Sequence, residues 1–228
     1  MNAAWGGQWD ANEIVISITG NYTLKQVERL ANKIVASVAE NKISRVRNDV
    51  APIEVMHVET PKPINQVHYM LGAHAYSYLD ERKTGLLLLN NMLGGMGMSS
   101  ILNLSIREKH GIAYTIESNY SMFSDSGLFS IYLGTDEEKI EKAKKLVFKE
   151  LNKLCEKEMT AGTKKKAKRK FIGQIALSEE NRMSMIIAAA KNVMDYNRII
   201  ELDVIIEKIK TITAVELLEI SRDILDPT

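Results

Sequence analysis

The sequence predicts an α+β fold, in which helices pack on one face of a layered, mixed or antiparallel sheet. Two observations predict this class. Alternating apolar and polar residues, typical of strands, occupy the beginning and middle of the chain, and helical patterns crowd its end from Thr160 onward. Hydrophobic residues make up 45% and charged residues 26% of the 228 residues, which suits a globular protein with a sizeable core.

The first predicted elements are a strand and a helix. Isoleucine recurs at every second position of residues 14–18, which predicts a strand that ends at Gly20. Thr23, followed three residues later by Gln26, matches a capping box and predicts the start of a helix. Neither element can bury its apolar face alone, so we expect both to join a sheet.

A change in pattern separates this first unit from the rest of the chain. Residues 45–66 show no clear periodicity and contain Pro52, Pro61 and Pro63, three of the four prolines in the sequence. Proline cannot donate a hydrogen bond to a sheet, so it favours connections and edge strands. We interpret this segment as a linker with a possible edge strand at residues 55–58.

The next elements are a strand and two helices. Residues 67–75 alternate and predict a strand, and Asp80 is expected to cap the helix that follows. This helix is rich in leucine on most sides, which indicates that it is buried. A cluster of glycines ends it, and a shorter helix is predicted to end with Gly111 at its C-terminal cap.

A hairpin and further helices complete the predicted fold. Residues 113–120 and 128–134 alternate on either side of a Ser-Asp-Ser-Gly turn, which predicts two antiparallel strands. Asp136 is expected to cap a long amphipathic helix. Near the end of the chain, Thr213 and Glu216 form a second capping-box pattern.

Residues 93–135 carry the most specific pattern in the chain. They contain a glycine-rich turn, a short helix that ends in Arg-Glu-Lys, the tetrapeptide Gly-Ile-Ala-Tyr and the run Ser-Asp-Ser-Gly-Leu-Phe. This series closely resembles the second-domain signature of the pitrilysin/insulinase family of zinc metallopeptidases, which includes the mitochondrial processing peptidase and many bacterial processing proteases. The resemblance implies two similar α+β domains that enclose a chamber for a peptide.

The resemblance also implies a domain organisation. Residues 1–44 would form the last strand and helix of the first peptidase domain, and residues 45–66 would link it to the second. Residues 67–228 would form the second domain, which is inactive by itself and binds substrate.

No zinc motif is found in the sequence. The inverted motif of the family, His-x-x-Glu-His, fits none of the four histidines, which are His57, His68, His74 and His110, and HExxH is absent as well. Zinc-dependent hydrolysis needs three protein ligands, a bound water and a carboxylate base. We therefore expect no metal or other cofactor in this chain, and a zinc-bearing first domain on the same parent chain or on a partner subunit.

The resemblance assigns chemistry to Arg107 and Tyr114. In the family, an arginine and a tyrosine seven residues apart reach from the second domain into the catalytic chamber, and residues 107–114 match that pattern. A phenol O–H can donate to the oxyanion of a tetrahedral intermediate, and a guanidinium fork can hold a substrate carbonyl. Without the surrounding match, a surface arginine and a half-buried strand tyrosine would be the default interpretation.

Three functions are compatible with these observations. The leading hypothesis is the carboxy-terminal part of a zinc metalloendopeptidase that acts on peptides, and the alternative is a non-catalytic binding or scaffold subunit of the same fold. A nucleic-acid binder that uses the basic residues 164–170 is the third. A net charge of +1 argues against nucleic-acid and membrane partners, so this run is interpreted as a solvated helix face.

One cysteine, Cys155, and no visible signal peptide predict a cytoplasmic location.

Overall fold

The structure is a computed structural model, and it describes residues 14–36, 50, 54–95 and 97–226. The chain divides into two compact units. The first unit comprises Met1–Asp49 and Gln174–Ile205, and the second comprises Val50–Gly173 and Ile206–Thr228.

The first unit contains helices in its described residues. Helix α1 (Leu24–Val35) begins where the sequence predicts, because the backbone N–H of Thr23 donates to Gln26 Oε1 at 2.8 Å. The other helical segments in the described part of this unit are the end of α4 (Ala161–Glu179), helix α5 (Arg182–Tyr196) and the start of α6 (Leu202–Thr211). The Asn181 side chain caps α5 by accepting the N–H groups of Met183 and Ser184.

The strand predicted at residues 14–18 is not found. These residues are described without any strand pairing. A strand exists only when a neighbouring strand supplies hydrogen-bond partners, and the described part of the first unit contains no sheet. The apolar stripe of α1 is uncovered as well, since Leu24 and Ile34 are exposed and no residue of the helix is buried.

The second unit is built on a three-stranded antiparallel sheet. Strands β1 (Val67–Ala75), β2 (Ala113–Met122) and β3 (Gly127–Thr135) lie in the order β1-β3-β2, so the predicted strand and hairpin are confirmed. The prediction of a possible edge strand at residues 55–58 is wrong: these residues pair with no other strand in the described part of the chain, and their two valines and their methionine are fully or largely exposed.

Helices cover one face of this sheet, as predicted. Alternate residues of β1 and β3 turn inward, and Phe129, Ile131 and Leu133 of β3 are buried. Three helices complete the core on that face: α2 (Lys83–Leu93), α3 (Ile140–Glu156) and α7 (Ala214–Ile224). The leucine-rich α2 is buried as its sequence predicts, with Leu86, Leu88, Leu89 and Leu93 inaccessible to solvent.

Local interactions define where these helices begin. The prediction that Asp80 caps α2 is wrong: the N-cap is Arg82, no side chain caps this helix, and Asp80 Oδ1 accepts the N–H of Arg82 at 2.7 Å in the turn before it. The capping box before α7 forms as predicted, because Thr213 Oγ1 accepts the Glu216 N–H at 3.1 Å and Glu216 Oε2 accepts the Thr213 N–H at 2.6 Å. Helix α6 (Leu202–Thr211) precedes it.

Candidate functional site

A β-bulge places Tyr114 at the entrance of strand β2. Ala113 pairs with Thr135 of β3 and Thr115 pairs with Gly134, so Tyr114 is the extra residue between two consecutive pairs. Bulges re-aim a side chain by interrupting the ladder. Tyr114 and Thr115 are consequently both exposed, although neighbours along a regular strand would face opposite sides of the sheet.

Arg107 lies in a π-helical segment that leads into this bulge. The predicted short helix is present, with a π helix at Asn103–Glu108. Gly111 ends it with a φ of +60° and donates its N–H to the Arg107 carbonyl at 2.9 Å, as expected for a C-terminal cap. The Arg107 side chain is exposed.

The Tyr114 hydroxyl belongs to a chain of three polar side chains. It donates to Asp136 Oδ1 at 2.7 Å, and Asp136 Oδ2 accepts from Lys139 Nζ at 2.5 Å. Lys139 closes a short turn of 3₁₀ helix at Glu137–Lys139 before α3. The prediction that Asp136 caps the following helix with its side chain is wrong, because its carboxylate binds Tyr114 and Lys139 instead.

The charges of this cluster determine the protonation of its members. The hydrogen bond to the Asp136 carboxylate raises the pKa of the Tyr114 phenol above its usual value, so the phenol keeps its proton at neutral pH. The hydrogen bonds from Lys139 and then from Tyr114 lower the pKa of Asp136 below its usual value, so this carboxylate is ionised. Tyr114 is therefore a hydrogen-bond donor, and in this structure its proton points to Asp136.

A buried hydrogen bond ties the two sides of the cluster together. Thr135 is fully buried and donates its hydroxyl to the Ile112 carbonyl at 2.6 Å. Ile112 lies two residues before Tyr114, and Thr135 directly precedes Asp136. This contact therefore fixes the backbones that carry the phenol and the carboxylate.

The two predicted site residues lie on consecutive elements and share exposure to solvent. No hydrogen bond or ion pair joins the side chains of Arg107 and Tyr114 among the described residues, and Arg107 forms no ion pair there. The guanidinium is thus available to an external acceptor. Asp136 and Lys139 were not predicted as members of the site, although an acidic residue directly after the second strand of the hairpin was a signal.

The histidines do not form a zinc site within the described part of the chain. His57 contacts Glu59 at 3.0 Å, whereas His68 stacks on Tyr132, with its Nδ1 2.6 Å from the tyrosine hydroxyl. His74 is on the same strand as His68, six residues further along, which corresponds to roughly 20 Å. No group of three or more potential ligands is found among the described residues, so these residues offer no site that fits a zinc ion.

The basic run at residues 164–170 has a partly structural role. Lys168 donates its Nζ hydrogens to the carbonyls of Lys210 and Ile212, at 2.6 and 2.5 Å, and so caps the C-terminal end of α6. Burial lowers the pKa of this lysine. Lys165, Lys166 and Arg169 are exposed on α4.

Within the described residues, no helix is long and apolar enough to cross a membrane.

Comparisons with known proteins identify a family and relatives that are similar to this chain in sequence. Residues 9–171 match the family described as Peptidase M16 inactive domain. An uncharacterised zinc protease of Streptomyces coelicolor is 30% identical over 160 residues, which are 70% of this chain and 35% of that protein.

Two solved structures share the fold. The peptidase M16 inactive domain from Pseudomonas fluorescens has a TM-score of 0.72 at 22% identity. The match covers 88% of this chain and 48% of that chain. A chain of complex III2 from Candida albicans, solved with Inz-5 bound, has a TM-score of 0.69 at 16% identity. The match covers 90% of this chain and 50% of that chain. This chain therefore spans half or less of the length of these proteins.

Proposed function

The chain belongs to the peptidase M16 family, in which it matches the inactive domain over residues 9–171, and on that premise we propose that it is the substrate-clamping half of a zinc peptidase that acts on peptides. The zinc-bearing half would be a first M16 domain with a His-x-x-Glu-His motif, on the same parent chain or on a partner subunit. We refer to it as the zinc half. Its metal would supply the activated water, and this chain would bind and orient the peptide.

One observation carries this proposal: Tyr114 is displayed on a bulge with its phenol exposed and protonated. Tyr114 is 53% exposed, whereas Tyr120 of the same strand is 7% exposed. Its hydroxyl is anchored by a polar contact rather than by packing. An exposed, oriented O–H group is what a developing oxyanion requires from a second domain.

Each of the two residues would have a separate role. The Tyr114 O–H would donate to the oxygen on which negative charge develops as water attacks the peptide carbonyl. The Arg107 guanidinium would hold a neighbouring carbonyl of the peptide through its planar fork, which a lysine cannot reproduce. Tyr114 therefore acts on the transition state, and Arg107 acts on substrate position.

The proposed domain division differs in part from the two compact units, because Gln174–Ile205 belong to the first unit. The uncovered apolar stripe of α1 supports the proposal that residues 1–44 belong to the first domain, which they would complete by packing on its sheet. Residues 45–66 would be the linker, and residues 67–228 would be the substrate-binding domain.

The proposal predicts a specific effect of Arg107→Ala. In a mixture of the chain and the zinc half, we expect kcat/KM for an unstructured fluorogenic peptide to fall about tenfold to a hundredfold, mainly through KM. This is the range for the loss of a hydrogen bond to a charged group. Steady-state kinetics over a range of peptide concentrations measures both parameters.

Lys109→Ala is the matched control, because Lys109 is an exposed cation two residues from Arg107 on the same helical segment. We expect this variant to cleave at the wild-type rate. Equal losses in the two variants would point to a general loss of positive charge and would contradict a specific role of Arg107.

A scaffold subunit of the same fold is the second candidate. The structural similarity to a chain of complex III2 favours it, since that chain is a component of a larger assembly. Stable association of the two halves without any peptide cleavage would support this candidate over the peptidase.

A further inference from the structure

Asp136 and Lys139 form a pair whose position beside Tyr114 is unusual for a surface contact. A carboxylate and a lysine three residues apart on one turn commonly form an exposed ion pair of little consequence. Here the same carboxylate also accepts the hydroxyl of Tyr114, which is 22 residues away in sequence and lies on strand β2. The pair thus connects the start of β2 with the turn before α3.

The backbone around the pair is held in place independently of the pair itself. Lys139 donates its backbone N–H to the Asp136 carbonyl at 3.0 Å, which closes the turn. The buried bond from Thr135 to Ile112 fixes the neighbouring strand ends, at 2.6 Å. Because both ends are fixed, Asp136 lies at a defined distance from the bulge that carries Tyr114.

We propose that Asp136, supported by Lys139, is a positioning residue that holds the Tyr114 phenol in the orientation in which it meets the reacting peptide carbonyl. This inference rests on the proposed function. Asp136 itself touches no substrate and acts through Tyr114.

The chemistry of the contact allows the phenol to change partner. A hydroxyl hydrogen rotates about its C–O bond, so the O–H can turn from Asp136 toward a new acceptor while the ring stays in place. Lys139 neutralises part of the charge on Asp136 and weakens its hold on that proton. The oxyanion that develops on the peptide carbonyl is then a second charged acceptor that competes for the same hydrogen.

The test uses the peptidase reconstituted from this chain and the zinc half. We expect Asp136→Ala to lower kcat roughly tenfold with KM unchanged, because a misplaced catalytic group loses rate rather than binding. Asp136→Asn retains an oxygen acceptor of the same shape and should stay within about threefold of wild type. Glu141→Ala is the matched control, since Glu141 forms an i,i+3 pair with Lys144 on α3 at 2.8 Å and should leave kcat unchanged.

A double-mutant cycle separates positioning from a merely structural effect. If Asp136 acts through Tyr114, Asp136→Ala should have no further effect on kcat in a Tyr114→Phe background. A tenfold loss in both backgrounds would overturn the inference, and so would an unchanged kcat in Asp136→Ala. If Tyr114→Phe itself leaves kcat unchanged, the proposed role of Tyr114 fails and the positioning role fails with it.

A second readout requires only the isolated chain. Removing the carboxylate should bring the pKa of Tyr114 down toward the ordinary value of about 10. We would follow tyrosinate absorbance against pH in wild type and in Asp136→Ala, and repeat the pair in the Tyr114→Phe background, where the difference should vanish. An identical titration in wild type and Asp136→Ala would overturn the contact, whereas unchanged thermal unfolding would show that the variant is folded.

Discussion

Replacing Tyr114 by phenylalanine is expected to lower kcat of the reconstituted peptidase by on the order of a hundredfold, with little change in KM. The substitution removes one O–H group and keeps the ring, so packing is preserved. The loss of a single donor to a developing oxyanion typically costs about 3 kcal/mol of transition-state stabilisation. Because the phenol is exposed and contacts only a surface carboxylate, the fold should not depend on it.

Tyr132→Phe provides the matched control for this prediction. Tyr132 belongs to the adjacent strand β3, and its hydroxyl likewise makes one polar contact, with His68 Nδ1 at 2.6 Å. We expect this variant to keep the wild-type kcat. A hundredfold loss in both variants, or in neither, would contradict the assignment of the donor role to Tyr114.

Gly127→Ala is expected to destabilise the second unit by roughly 3 kcal/mol, the upper end of the usual cost of overpacking. A Cβ at this position would lie 2.2 Å from the Tyr76 carbonyl oxygen and 2.8 Å from the carbonyl carbon of Ala75. These are backbone atoms of the last residue of the opposing strand β1 and of the residue that follows it. The Tyr76 carbonyl also accepts the buried Tyr120 hydroxyl at 2.7 Å, so it cannot move away without losing that bond.

Urea unfolding of the chain measures this effect directly. Gly134→Ala is the control on the same strand, because its Cβ would meet only the Tyr132 hydroxyl at an ordinary 3.7 Å. We expect this control to change the free energy of unfolding by less than about 1 kcal/mol. A Gly127→Ala variant as stable as wild type would show that β1 and β3 can separate at this end without cost.

The elements with strong periodicity could be predicted from the sequence. Strand β1, the hairpin of β2 and β3, the buried α2 and the capping box at Thr213 are confirmed because their signals are local: alternation, turn residues and capping side chains. The resemblance carried by residues 93–135 to a zinc peptidase family is confirmed by the family match.

The failures have a common physical cause, which is dependence on distant partners. Residues 14–18 have the composition of a strand but no neighbouring strand in the described chain, and residues 55–58 likewise lack a partner. The bulge at Tyr114 is invisible to a pattern of alternation, since it depends on how β2 registers against β3. Asp136 precedes a helix, so a capping role was a reasonable expectation, but a tyrosine from another strand binds its carboxylate instead.

The site illustrates the same point at the level of single side chains. The sequence motif indicated Arg107 and Tyr114 but could not indicate which groups orient them. Only the pairing of β2 with β3 brings Asp136 to the Tyr114 hydroxyl, and only the turn after β3 brings Lys139 to Asp136. The assignment of catalytic roles to Arg107 and Tyr114 stays a prediction until kinetics are measured.

The most direct measurement is a peptidase assay of the purified chain on an unstructured fluorogenic peptide, with and without added zinc, and then with the zinc half. We predict no cleavage by the chain alone in either condition, because its described residues supply no set of three metal ligands, and cleavage once the zinc half is added. Zinc-dependent cleavage by the chain alone would contradict the account, since the chain would then contain a complete metal centre.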